Sequence, residues 1–156
     1  MRSDARKLPN YVQIEMGEWV VVRERGRHAR FHNPSGEAVV KVRADGGLIT
    51  EGERADYVVA HPEVVDVIIE LKGSDVSKAI TQIRATLPVW RRCEWAGRKH
   101  GALVVRGKGI HPKLLAQFER WQREFRKTLH MRLLIKTSNL DYEFEQFLLP
   151  EAEMHI

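Results

Sequence analysis

The chain has 156 residues, 43% apolar and 30% charged, with 11 Gly, 6 Pro and a formal charge of +5; that length suits one domain with a real core, and the composition excludes a disordered or fibrous chain. No apolar run approaches the roughly 20 residues that span a bilayer, and the charged start Met1-Arg2-Ser3-Asp4-Ala5-Arg6-Lys7 lacks the apolar stretch of a secretory signal. A lone cysteine, Cys93, excludes an internal disulfide and a cysteine-based zinc site and suits a reducing, cytoplasmic setting.

The first half reads as β-structure punctuated by turns. Trp19-Val20-Val21-Val22 predicts a strand and Arg25-Gly26-Arg27 a hairpin turn; Asn33-Pro34-Ser35-Gly36 turns again, Val39-Val40-Lys41-Val42 is a further strand, and Asp45-Gly46-Gly47 closes it before Leu48-Ile49. Two apolar strands follow, one headed by Asp56-Tyr57-Val58-Val59 and one reading Val65-Asp66-Val67-Ile68-Ile69-Glu70-Leu71-Lys72. The loop around His61-Pro62-Glu63 is short enough to make them antiparallel neighbours. After Gly73 the period changes: Val76, Ala79, Ile80, Ile83 and Leu87 mark one face of a helix, with Ser74 or Asp75 as its cap and Pro88 as its expected end. Residues 102 to 105 predict a short buried strand. From Ile110 the spacing of Leu114, Leu115, Phe118, Trp121, Phe125 and Leu129 predicts a long amphipathic helix with Pro112 in its first turn, which makes those aromatics core rather than base-stacking residues. Met131 to Ile135 reads as a last core strand, and Asp141 to Leu149 as a terminal amphipathic piece. The expected fold is α/β, a central mixed β-sheet flanked by helices. It is one domain over 1–156, with a β-rich N-terminal extension (1–47), a core (48–138) and an acidic C-terminal segment (139–156).

Charge is distributed unevenly. Residues 48 to 90 carry four basic and seven acidic side chains, whereas residues 91 to 138 carry thirteen basic and three acidic. The acidic stretch suits a cation and the basic stretch suits phosphates. Arg91, Arg92, Arg98, Lys99 and Arg123, with Trp90 and Trp95 interleaved, are candidate nucleic-acid contacts, joined by Ser74 and Lys78 at the start of the first helix.

The most informative pairing is Asp56 with Glu70, with thirteen residues between them, on adjoining strands. Strand alternation puts Asp66, Ile68, Glu70 and Lys72 on one face, so Glu70 and Lys72 lie side by side, while Asp66 falls at the far end and is expected to be solvated. Carboxylates on a buried strand are costly unless they bind a cation. Asp56 and Glu70 supply hard oxygen ligands, with the Leu71 carbonyl completing the set; Mg²⁺ is the first choice and Mn²⁺ the alternative. Seven histidines show no metal-ligand spacing, which leaves zinc little support.

An Asp, a spacer and then Glu-x-Lys on adjoining core strands resembles the PD-(D/E)XK nuclease superfamily, through Asp56, Glu70 and Lys72. The stretch Ile68-Ile69-Glu70-Leu71-Lys72-Gly73 is especially similar to its small members with an apolar pair followed by Glu-Leu-Lys-Gly. The resemblance covers about residues 50 to 87. It departs from the pattern at Ala55, where the superfamily has Pro, and in lacking a clear upstream helical Glu, for which Glu15, Glu24 and Glu37 are candidates. The resemblance implies a restriction-endonuclease-like core and Mg²⁺-dependent phosphodiester hydrolysis, with Asp56 and Glu70 on the metal and Lys72 orienting the attacking water. It also implies that Gln82, on the following helix, binds that water or a phosphate. DNA is favoured over RNA as substrate, endonuclease and exonuclease action are both open, and a homodimer is consistent with small members of the superfamily. The rival expectations are an RNase of the same fold and a non-catalytic nucleic-acid-binding or protein-interaction module.

Overall fold

The structure is a computed structural model that describes residues 7–71, 75–107, 112–137 and 140–150. Among the described residues, nine strands build two sheets. The larger has the order β1 (Val12–Glu15), β4 (Val39–Arg43), β5 (Tyr57–His61), β6 (Val65–Glu70), β7 (His100–Arg106), β8 (Arg132–Thr137). It is antiparallel from β1 to β6 and parallel from β6 through β7 to β8, hence mixed. The smaller sheet has the order β2 (Trp19–Glu24), β3 (Arg27–His32), β9 (Leu140–Glu143). The hairpin expected at residues 25–27 is present, and its tight turn uses positive φ at Arg25 and Gly26. The acidic C-terminal piece supplies β9, parallel to β3, and then a 3-10 turn, Phe144–Phe147.

These elements stack in three layers. One apolar cluster lies between the large sheet and the helices α1 (Val76–Arg91) and α2 (Pro112–Glu124), and holds Val58, Ile68, Ile83, Val104 and Phe118. A second lies between the two sheets and holds Phe31, Val67, Ile69, Leu103 and Phe147. Alternation along β6 feeds both, and all six of its residues are buried. The sheet boundary differs from the division expected at residue 47: β1 and β4 belong to the main sheet, and β9 from the acidic segment shares the smaller one with β2 and β3.

The helix after β6 forms as the spacing predicts, with Val76, Ala79, Ile80, Ile83 and Leu87 buried and the Asp75 side chain accepting from the Lys78 N–H at 3.1 Å. It does not end at Pro88; it continues to Arg91. Trp90 is the reason. Its indole is wholly buried, and that burial outweighs the one helical hydrogen bond a proline forgoes. The long second helix, expected from Ile110, is described from Pro112, since residues 108–111 lie outside the described residues, and finishes in a π-turn, Phe125–Leu129, closed by a left-handed His130.

Asp66 is not solvated. It is 2% exposed, and its Oδ2 accepts from Trp90 Nε1 at 2.8 Å and from the Gly97 N–H at 2.7 Å. The carboxylate thus ties the start of β6 to the last turn of α1 and to the loop before β7. Alternation gave the correct face, but the indole at its end of the sheet was invisible to a reading of one strand. Burial pushes the Asp66 pKa up despite both donors. Beside it, His100 Nε2 lies 3.6 Å from Asp66 Oδ2, and burial, with the Arg91 charge second, holds the imidazole down to about 4.

A histidine depressed in this way takes up its proton in the unfolded chain at its ordinary 6.5 but not in the folded one until about 4. Stability from His100 is therefore complete above pH 6.5 and is lost as the pH falls toward 4, while protonation of the raised Asp66 works in the opposite sense. In urea titrations between pH 7 and 4.5, the wild-type chain is expected to lose about 2–3 kcal/mol more than His100→Gln; equal slopes would contradict it.

Candidate active site

The stretch into Asp56 is fixed before the carboxylate is reached. The Ala55 N–H donates to Thr86 Oγ1 at 2.7 Å, and that hydroxyl donates to the Gln82 carbonyl at 2.8 Å, so β5 begins pinned to the middle of α1. The Asp56 carbonyl accepts from the N–H groups of Ala44 and Asp45 at 2.9 and 3.3 Å, and its own N–H donates to the Ile69 carbonyl at 3.0 Å. Asp56 stands just ahead of β5 and, through Ile69, is bonded to β6 one residue short of Glu70.

Alternation along β6 puts Glu70 on the helix side, because Ile68, two residues before it, lies in the helix-side cluster. Asp56 is 0% and Glu70 1% exposed. The Leu71 N–H donates to Asp56 Oδ2 at 2.8 Å, a charge-assisted bond that fixes the carboxylate's orientation from the neighbouring strand. Asp56 and Glu70 are both buried, one just before β5 and the other at the end of the adjoining β6. Lys72 and Ser74 lie outside the described residues.

This donor set fits a hard divalent ion. Mg²⁺ is commonly held by one or two carboxylates, with water and phosphate oxygens filling the remaining positions. Among the described residues no three His, Cys, Asp or Glu side chains gather at one point, so a soft or fully protein-enclosed site finds no support. The Leu71 carbonyl, expected as a third ligand, is approached by Arg27 Nη1 at 3.5 Å. A guanidinium there would compete with a cation for that oxygen. The candidate upstream acids do not join them in a helix, for among the described residues no helix precedes α1. Glu15 sits on edge strand β1, 3.9 Å from Lys41 Nζ, and Glu37 is exposed. Glu24, at the end of β2, acts on Tyr57, whose phenol is raised first by burial and then by the Glu24 charge.

Gln82 is half-buried, one turn before Thr86 on the helix flank that Thr86 turns to residue 55. Its carbonyl has the pinning role described above. Lys78 is exposed in the first turn of α1, at the carboxylate end. The other basic candidates are elsewhere. Because α1 runs against β6 and β7, Arg91 and Arg92 emerge at the start of those strands, where Trp90 meets Asp66. Arg98 and Lys99 line a cavity of about 600 Å³ there, together with Asp66 and Glu63. Arg123 falls in the last turn of α2, next to Gln122, whose side chain donates to the Leu133 carbonyl near the start of β8. Strand length alone puts this end roughly 15 Å from the carboxylates. Trp90, considered with these basic residues, is core.

Two arginines at the carboxylate end escaped the sequence reading. Arg27 comes from the β2–β3 hairpin, and a Cβ at Gly107 would overlap its guanidinium. Arg106 ends β7 at 6% exposure with its guanidinium 5.9 Å from the Phe118 ring centroid. The available signal for Arg106 was a charge closing an apolar strand, the same pattern that singled out Glu70.

Thr86→Val is expected to leave the Ala55 N–H buried without its acceptor and to cost about 1–3 kcal/mol in denaturant unfolding, whereas Thr86→Ser keeps the bond and most of the stability. A scan against protein-family models and searches of curated proteins and of solved structures found no match to the chain.

Proposed function

We propose that this protein is a Mg²⁺-dependent nuclease of the PD-(D/E)XK type, hydrolysing phosphodiester bonds with DNA favoured over RNA. The observation that carries the reading is that Asp56 and Glu70 are both buried at the same end of the adjoining strands β5 and β6, with Asp56 oriented by the Leu71 N–H. The order of elements supports it. An antiparallel β4–β5–β6 meander, a crossover helix and a strand parallel to β6 are what a restriction-endonuclease-like core requires around such a pair.

In this reading Asp56 and Glu70 hold the ion, which when bound stabilises charge on the phosphoryl oxygens as a Lewis acid. The Leu71 N–H keeps the Asp56 carboxylate aimed during turnover. Lys72, two residues after Glu70 in the sequence, orients the attacking water and offsets developing charge. Gln82 lies on the flank of α1 nearest Asp56, within the part of the helix that fixes residue 55. Attack by water at phosphorus forms one P–O bond as the ester P–O bond breaks, and the departing sugar oxygen takes a proton from solvent.

A structural role for Asp56 as acceptor for the Leu71 N–H is the one competing reading with an observation behind it. Asp56→Asn separates the two, since an amide oxygen still accepts that bond but no longer supplies a ligand charge. Purified protein is expected to cleave at least one member of a panel of single-stranded, duplex and branched DNA and matched RNA with Mg²⁺ or Mn²⁺, and not with EDTA. Asp56→Asn and Glu70→Gln should remain folded and lose about 10²–10³-fold in rate. Failure of the wild type to cleave any member or to bind either ion by calorimetry would sink the proposal.

A further inference from the structure

We propose that Arg27, the first residue of β3, is a phosphate-binding residue of this site, taking an oxygen of the phosphodiester that is cut; the inference rests on the nuclease reading above. Alternation along β3 puts Arg27 in one row with Ala29 and Phe31, both sealed into the cluster between the two sheets. Arg27 ends that row, so its side chain reaches the rim of the main sheet. There Nη1 lies 3.5 Å from the Leu71 carbonyl, just past the end of β6. The N–H of the same residue holds Asp56 Oδ2 at 2.8 Å. Joined through the backbone of Leu71, the two contacts leave Arg27 Nη1 and Asp56 Oδ2 no more than about 10 Å apart. An ion sits about 2.1 Å from its carboxylate oxygen, and a phosphate on the ion's far side spans most of what remains.

Gly107 makes room for this placement. Its φ lies outside the left-handed region, so the backbone there does not demand glycine. A Cβ on it, however, would overlap Arg27 Nη2 and crowd Cζ and Nε at 2.9 Å. The missing side chain just past β7 thus lets the guanidinium lie across the ends of β6 and β7. Its contact with Leu71 is to a neutral carbonyl at the limit of hydrogen bonding, whereas a phosphate oxygen offers a shorter, charge-assisted bond. Arg27 is half-buried, so its charge is screened less than one in open water. The planar fork presents paired donors to two phosphate oxygens, which a lysine ammonium does not. Arg27 lies outside the Asp, Glu-x-Lys pattern and gives the smaller sheet a part in the chemistry.

The test uses the full chain with Arg27→Gln, Arg27→Lys and Gly107→Ala. Binding to mixed-sequence duplex DNA is followed in Ca²⁺ across a range of salt, and cleavage in Mg²⁺ on whichever member of the nucleic-acid panel the wild type cuts. Arg27→Gln is expected to bind Mg²⁺ as the wild type does, lose about 10–10²-fold in kcat/KM, and show a salt slope of binding smaller by about 0.9, the loss of one phosphate contact. Arg27→Lys should keep the slope and recover part of the rate. Gly107→Ala keeps the charge but displaces the guanidinium, the far end of a flexible side chain, and is expected to cut at least ~10-fold more slowly at an unchanged melting temperature. If Arg27→Gln does not fold, the other two variants carry the test with the same expected results. Wild-type rate and slope in Arg27→Gln, or wild-type rates in the other two where that variant does not fold, overturn the assignment. So does a slower Arg27→Gln with an unchanged slope and a lowered melting temperature, which marks a residue that only ties the hairpin to the sheet. A wild type that neither cleaves nucleic acid nor binds divalent ions overturns the nuclease reading itself, and Arg27 falls with it.

Discussion

Burying Asp56 and Glu70 at one end of two adjoining strands, both closed off from solvent, is the constraint on which the rest of the fold depends. Each buried carboxylate costs several kcal/mol unless hydrogen bonds or positive charge meet it. The surrounding structure answers in layers. The Leu71 N–H fixes one oxygen of Asp56, Thr86 fixes the residue before it, and the 44–45 turn fixes its carbonyl. Arginines from two different sheets converge on the same end: Arg106 from the main sheet and Arg27 from the hairpin beneath it. A site built this way uses the smaller sheet as part of its support rather than as an appendage.

The two ends of the large sheet bury acids by different means. At one end Asp66 is met by an indole N–H, a backbone N–H and a neutral histidine, a closed arrangement that joins helix, strand and loop. At the other, Asp56 and Glu70 are buried at the end of the sheet that also carries Arg27 and Arg106. The first is the chemistry of a structural joint, whereas the second gathers ionisable groups of both signs.

The strands of Asp56 and Glu70, their antiparallel pairing and the helix after them were legible in the sequence because each rests on local signals: a period of two, a short loop, a period near four with an N-cap. What was not legible depends on where the chain returns. Arg91, Arg92, Arg98 and Lys99 follow the motif closely in sequence, yet a crossover helix antiparallel to its strands carries them to the opposite end of the sheet. Proximity along a βαβ unit is opposition in space. Strand β1 carries two exposed positions in its four residues, and its pairing with β4 could not be read from so short a pattern. Pro88 was misread because a proline's local penalty is visible in sequence while the buried indole two residues later is not.

The pairing of β9 with β3 joins parts of the chain 111 residues apart, as the Arg30 to Asp141 bond shows. Until residues 140–147 arrive, one face of the large sheet lacks Tyr142, Phe144 and Phe147, all but sealed into the cluster between the sheets. Contacts of such range close slowly, after local ones. During synthesis, β5, β6 and α1 therefore emerge well before the layer that backs them is complete. The cluster between the sheets is therefore completed only when residues 140–147 dock, after the strands and helix that it backs.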